Sequence, residues 1–204
     1  MKESTIVLPV FPLPIFILPG GVTKLRIFEQ RYLKMVKISA ANQGFVIFMN
    51  NNQVKGANTM DSELVTKTQW GSWVKIINFD QGDDGVLEIE VECTSLVQIK
   101  SIEKDEDNLH FGTVSEIEHW SKEATNNEGT DNENIDLSTS LKNVFAENDI
   151  LNTLYPKKTL NDVHWVLARW LEILPIELNI KSEFVVKHNI EEAKGFVESI
   201  IFKQ

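Results

Sequence analysis

Gln81-Gly82-Asp83-Asp84-Gly85-Val86-Leu87-Glu88-Ile89-Glu90-Val91-Glu92-Cys93 is the stretch whose pattern decides the fold class. Val86, Glu88, Glu90 and Glu92 alternate with Leu87, Ile89, Val91 and Cys93. That period of two sends successive side chains to opposite faces of a strand. Asp84-Gly85 supplies the positive φ of a tight turn, and Trp73-Val74-Lys75-Ile76-Ile77 leads into it, so the segment predicts a β-hairpin. Cys93 falls on the apolar face, which suits an inert core thiol.

Strand patterns continue on both sides of the hairpin. Val22, Lys24, Arg26 and Phe28 alternate with Thr23, Leu25 and Ile27. Gly44-Phe45-Val46-Ile47-Phe48-Met49, bounded by Gly and by Asn50-Asn51-Asn52, reads as a short buried strand. Two further strands are expected near Leu96–Ile102 and Leu109–Ile117. The apolar run Ile6 to Leu18 contains Pro9, Pro12 and Pro14, which exclude a helical export or membrane segment. It predicts an opening strand and a kinked loop ending at Pro19-Gly20-Gly21. One helix interrupts the strands, over Glu29 to Asn42, with Leu33, Val36 and Ala40 recurring at helical spacing and Tyr32 extending the stripe.

From Ser121 to Asp136 the chain is acidic and almost free of apolar residues, which predicts a linker or disordered loop. Helical spacing follows. Leu137, Leu141, Val144 and Phe145 suggest a first helix. Asn161 is a candidate N-cap for a central, mostly buried helix that stops before Pro175. A shorter helix is expected near Asn179–His188. A last one begins after Asn189, with Ile190, Ala193, Phe196, Val197, Ile200 and Ile201 on one face. The expected organisation is a β-rich half over 1–120, a linker over 121–137 and a helical half over 138–204.

Composition narrows the functions this chain can serve. Thirty Asp and Glu against twenty Lys and Arg give a net charge of -10, and the pI is about 4.9. Such a surface repels phosphate backbones and anionic lipid headgroups, so neither nucleic acid nor membrane is expected as a partner. One cysteine can form no internal disulfide and no Cys-x-x-Cys zinc site, and the chain reads as cytoplasmic. No P-loop, Gly-x-Gly-x-x-Gly, His-Glu-x-x-His or Gly-x-Ser-x-Gly occurs. His110, His119, His164 and His188 are scattered. The nearest approaches to a metal pair, His119 with Glu116 or Glu118 and His188 with Glu191, have the wrong phase or a break between them. The carboxylates at Asp83/Asp84 and at Asp105 and Asp107 sit in turns, where Asp is favoured for backbone reasons. No catalytic residue, metal or cofactor is therefore expected. Trp70 and Trp73 flank Gly71-Ser72 at a strand start, where an exposed aromatic would mark a contact surface and a packed one would not.

Three blocks, Leu8-Pro9-Val10-Phe11-Pro12-Leu13, Leu18-Pro19-Gly20-Gly21 and Leu25-Arg26-Ile27-Phe28-Glu29-Gln30-Arg31-Tyr32, closely resemble the opening signature of the Lon N-terminal (substrate-binding) domain. The likeness is to its stand-alone, single-domain bacterial members. Gly44-Phe45-Val46-Ile47, Trp70-Gly71, Asp84-Gly85-Val86-Leu87 and Leu171-Glu172-Ile173-Leu174-Pro175-Ile176 agree in order. Cys93-Thr94-Ser95-Leu96-Val97 departs from the family's Gly followed by Arg and Phe. The resemblance implies an α+β chain: a PUA-like β pseudo-barrel subdomain with one helix, then a C-terminal α-helical bundle. It also implies recognition of unfolded or partner polypeptide, at a groove between the halves, a sheet edge or an aromatic anchor, without the proteolysis of full-length Lon. A small-molecule-binding or enzymatic barrel is the alternative. Arg26, Glu29, Arg31 and Tyr32 are open to two readings. Either Arg26 or Arg31 pairs with Glu29 to fix a strand-to-helix corner, or the arginines line a groove for carboxylates or peptide backbone.

Overall fold

Alternating sequence becomes six strands: β1 (Thr5–Pro12), β2 (Val22–Ile27), β3 (Phe45–Phe48), β4 (Trp70–Gln81), β5 (Leu87–Lys104) and β6 (His110–Ile117). The computed structural model describes residues 4–41, 43–49, 70–120, 131–186 and 190–202, and of 131–136 and 186 the backbone alone. The strands form one sheet in the order β2-β5-β4-β3-β1-β6, and β5 also pairs with β6. That last pairing closes a ring of β1, β3, β4, β5 and β6. β5 makes closure possible by changing partners along its length: Leu87–Glu92 pairs with β2 and Leu96–Lys104 with β6. Leu8, Val10, Val46, Val97, Ile99 and Val114 fill the interior, all buried. The class is α+β, with a barrel-like sheet and C-terminal helices, as expected.

β1 and β3 are parallel, so the chain must cross over between them. The helix α1 (Gln30–Ala41) lies in that crossover. Its buried residues are Tyr32, Met35, Val36 and Ser39. This corrects the stripe read from sequence, because Ala40 is exposed and Leu33 half-buried. Met35 completes the i, i+3, i+4, i+7 pattern that Leu33 and Ala40 do not.

Two separate strands were expected where β5 runs unbroken for 18 residues. Thr94 is an extra residue at a bulge, since Trp73 pairs with Ser95 and Val74 with Cys93. Its hydroxyl donates to the Trp73 carbonyl at 3.2 Å. The hairpin itself matches expectation. Gly82 N–H bonds the Val86 carbonyl at 2.9 Å, Gly85 N–H bonds the Gly82 carbonyl at 2.8 Å, and Gly85 has φ 80°.

The chain divides into two compact units, Met1–Ile117 and Glu118–Gln204. The second contains α2 (Asp131–Glu147), α3 (Asp149–Leu154), α4 (Val163–Ile173), α5 (Leu178–Val186) and α6 (Ile190–Ile201). α2 begins inside the stretch expected to be linker, and residues 121–130 lie outside the described residues. Leu137, Leu141 and Phe145 are buried, as their spacing predicts.

The cap of α4 is Asp162 and not Asn161: the Asp162 carboxylate accepts from the N–H groups of His164 and Trp165. Only Asp162 stands two and three residues before those amides, the offset that capping requires. α4 is the mostly buried helix expected, and it holds a residue the pattern did not reveal. Arg169 is 0% exposed, with Glu172 at 2.6 and 2.7 Å and the rings of Tyr155 and Trp165 within 5.6 Å. In α6, Ile190, Ala193 and Val197 are buried, whereas Ile200 is exposed as the helix nears its end.

Candidate functional site

The strand-to-helix corner after β2 collects three of the residues singled out by sequence. The Glu29 carbonyl receives the N–H groups of Tyr32 and Leu33, which starts α1. Its carboxylate takes the Arg31 guanidinium at 2.8 and 2.9 Å. Arg31 lies over the Tyr32 ring at 4.6 Å, and that ring packs on Phe11 at 4.3 Å. Burial, chiefly, holds the Tyr32 hydroxyl above its ordinary pKa. Arg31 and not Arg26 is thus the partner of Glu29.

Arg26 reaches the other way. It pairs with Asp84 in the hairpin turn and with Glu88 at 3.6 Å. Lys24 contacts Glu88 at 2.6 Å and Asp80 at 3.4 Å. The Asp84 carboxyl sits below the usual range because it accepts the Val86 N–H and then because of Arg26. Asp80 is lowered by the Gln81 N–H and then by Lys24. These charges tie β2 to the β4–β5 hairpin along the solvent face.

Trp70 and Trp73 are each half-buried. Trp70 meets Phe16 edge-on at 5.8 Å, and the Trp73 Nε1–H donates to the Gln43 carbonyl at 2.6 Å. Neither stands clear of the surface as a free anchor.

The apolar side chains that do face water were not identified by sequence. Phe28 is 72% exposed, Ile77 51% and Phe79 53%. Phe79 is in register with Ile89, and Ile89 with Leu25, so the three share one face of the sheet. Leu25 and Ile89 are buried while Phe79, at the end of the row, is not. β3 pairs with β4 only at Ser72, Trp73 and Val74. Among the described residues, β4 beyond Val74 therefore has a strand on one side only. Sequence alternation failed here because Ile77 is an extra residue: Ile76 pairs with Val91 and Asn78 with Glu90.

Among the described residues, no group of three or more His, Cys, Asp or Glu could hold a metal ion, and no helix is long and apolar enough to cross a membrane. His119 stacks on Trp120 at 4.2 Å, and His188 lies outside the described residues. Cys93 is buried, with its thiol 3.4 Å from the Ser95 carbonyl.

Comparison with known proteins bears on this arrangement. A family model described as the ATP-dependent protease La (LON) substrate-binding domain matches residues 7–193. Among curated proteins none matches significantly. A solved Lon N-terminal domain protein from Xanthomonas campestris is 23% identical, with a TM-score of 0.64 over 95% of this chain and 98% of that one. The N-terminal domain of the Mycobacterium avium complex Lon protease is 12% identical, with a TM-score of 0.55 over 95% and 96%. At these identities the two structures establish the fold, and the family model establishes kinship. The chain belongs to the ATP-dependent protease La (LON) substrate-binding domain family.

Proposed function

We propose that this chain is a polypeptide-recognition module that binds unfolded or partner proteins and catalyses no reaction of its own. The observation that carries the reading is the match to a substrate-binding domain family across residues 7–193. Exposed Phe28, Ile77 and Phe79 support it, because water-facing aromatic and branched side chains are what a protein partner covers. The charge of -10 disfavours nucleic acid and anionic membrane as alternatives and fits work in the cytoplasm. Glu29, Arg31 and Tyr32 then serve as the corner that orients α1, and Arg26 as the tie between β2 and the hairpin.

The test is fluorescence anisotropy of a labelled, reduced and carboxymethylated protein that cannot refold, titrated with the purified chain. Saturable binding is expected, with the native form of the same protein ignored. Absence of binding to any unfolded polypeptide refutes the reading. So does turnover of peptide, nucleotide or metabolite that a single side-chain replacement abolishes.

A further inference from the structure

We infer that the outer edge of β4, from Asn78 to Gln81, accepts an extended segment of a partner polypeptide as an added strand, and that this segment alternates apolar with basic residues. The inference rests on the polypeptide-binding reading above and adds its place and sequence pattern.

The backbone supplies the pairing groups. Gly82 N–H points to β5, where it bonds the Val86 carbonyl. Alternation along an antiparallel strand then aims the N–H groups of Phe79 and Gln81 away from β5. Both are held by side chains instead: Phe79 N–H by the Asn78 Oδ1 at 2.9 Å and Gln81 N–H by the Asp80 Oδ1 at 2.8 Å. These local caps blunt an edge that would otherwise invite indiscriminate pairing. A carbonyl of an incoming strand can replace each of them, as in other cases of strand addition.

Side chains supply the pattern. On one face the apolar row Leu25–Ile89–Phe79 ends at the edge with Phe79 uncovered. A residue placed beside Phe79 continues that row, so it is apolar. On the other face the row Arg26–Glu88–Asp80 ends in a carboxylate. Lys24 lies closer to Glu88 than to Asp80, and Asp83 and Asp84 follow in the turn. The neighbouring position of the added strand thus meets negative charge, and a lysine or arginine is favoured there. The bulge at Ile77 bounds the site and keeps it to a few residues.

Three short peptides test this by fluorescence anisotropy: alternating Val/Lys, alternating Val/Glu, and the Val/Lys peptide N-methylated on alternate amides. The Val/Lys peptide is expected to bind about tenfold more tightly than Val/Glu, with the gap shrinking as salt rises. Asp80→Asn, which keeps an acceptor for Gln81, narrows the gap to about twofold. Phe79→Ser weakens both peptides about tenfold. N-methylation abolishes binding. Both substitutions are at exposed positions, and unchanged circular dichroism verifies folding. Wild-type affinity in both variants overturns the inference, as does undiminished binding of the N-methylated peptide. A wild-type dimer that Phe79→Ser dissociates overturns it too, since a second copy then occupies the edge. If unfolded proteins bind but these peptides do not, the inference falls and the polypeptide-binding reading stands. If neither binds, both fall.

Discussion

His110 opens β6 with 6% of its surface exposed, and neither ring nitrogen has a hydrogen-bond partner among the described residues. Burial pushes its pKa below the ordinary value, and Lys104 and Arg31 push the same way. The carboxylate beside Arg31 and those of the turn before β6 are engaged, Glu29 by Arg31 and Asp105 and Asp107 by Lys34. A proton on this imidazole is therefore less welcome in the folded chain than in the unfolded one. Its contribution to stability is full above the unfolded pKa of about 6.5 and is lost as the pH falls below that value. Between pH 7.5 and 5, the thermal unfolding temperature of the wild type should drop by a few °C more than that of His110→Phe, about the scale on which a chain of this length responds to one lost interaction. Parallel pH profiles of the two proteins would refute this. Arg169 is the instructive contrast. It is equally hidden, yet Glu172 and two aromatic rings receive its charge. Neither residue announced itself in the sequence, because burial of a polar side chain depends on what folds over it and not on local pattern.

At the scale of the element, β3 is tightly constrained at its entry. Gly44 has φ 89°, and a Cβ there would lie 2.0 Å from the Val74 carbonyl oxygen of the neighbouring strand. The three nearest atoms all belong to the Val74–Lys75 backbone, so no flexible side-chain end is there to yield. Gly44→Ala should lower stability by about 3 kcal/mol in urea titration, from the left-handed backbone and the clash together. A loss below about 1 kcal/mol would mean that β3 can shift in register. The strands and helices themselves were largely legible: the hairpin, the apolar run of β3, the Pro175 stop and the Leu137/Leu141/Phe145 spacing all stand in the fold. Bulges were not. One extra residue at Thr94 turned a single strand into two on paper, and another at Ile77 hid which way Phe79 points. Of the candidate site, the Glu29–Arg31–Tyr32 corner was legible as one of two pairings. The strand edge was not, because whether a strand has a neighbour is a property of topology.

At the scale of the molecule, the strand ring is completed within Thr5–Ile117, and the buried cluster Leu8, Val10, Val46, Phe48, Val97, Ile99 and Val114 lies in that stretch. Residues 1–117 expressed by themselves should therefore unfold in one cooperative urea transition, with the near-ultraviolet signal of Trp70 and Trp73 retained. A flat, non-cooperative profile would show that the barrel needs residues 118–204. β1 carries a further consequence. Thr5 is in register with Ser115 and Val10 with His110, so the first strand finds its longest partner only after most of the barrel has been translated. On the ribosome, Val10–Pro12 can meet β3 early, but the edge of β1 that β6 covers must wait, greasy and unpaired, while the rest of the barrel sequence emerges. A protein proposed to hold unfolded chains begins its own life as a nascent chain in want of such a holder.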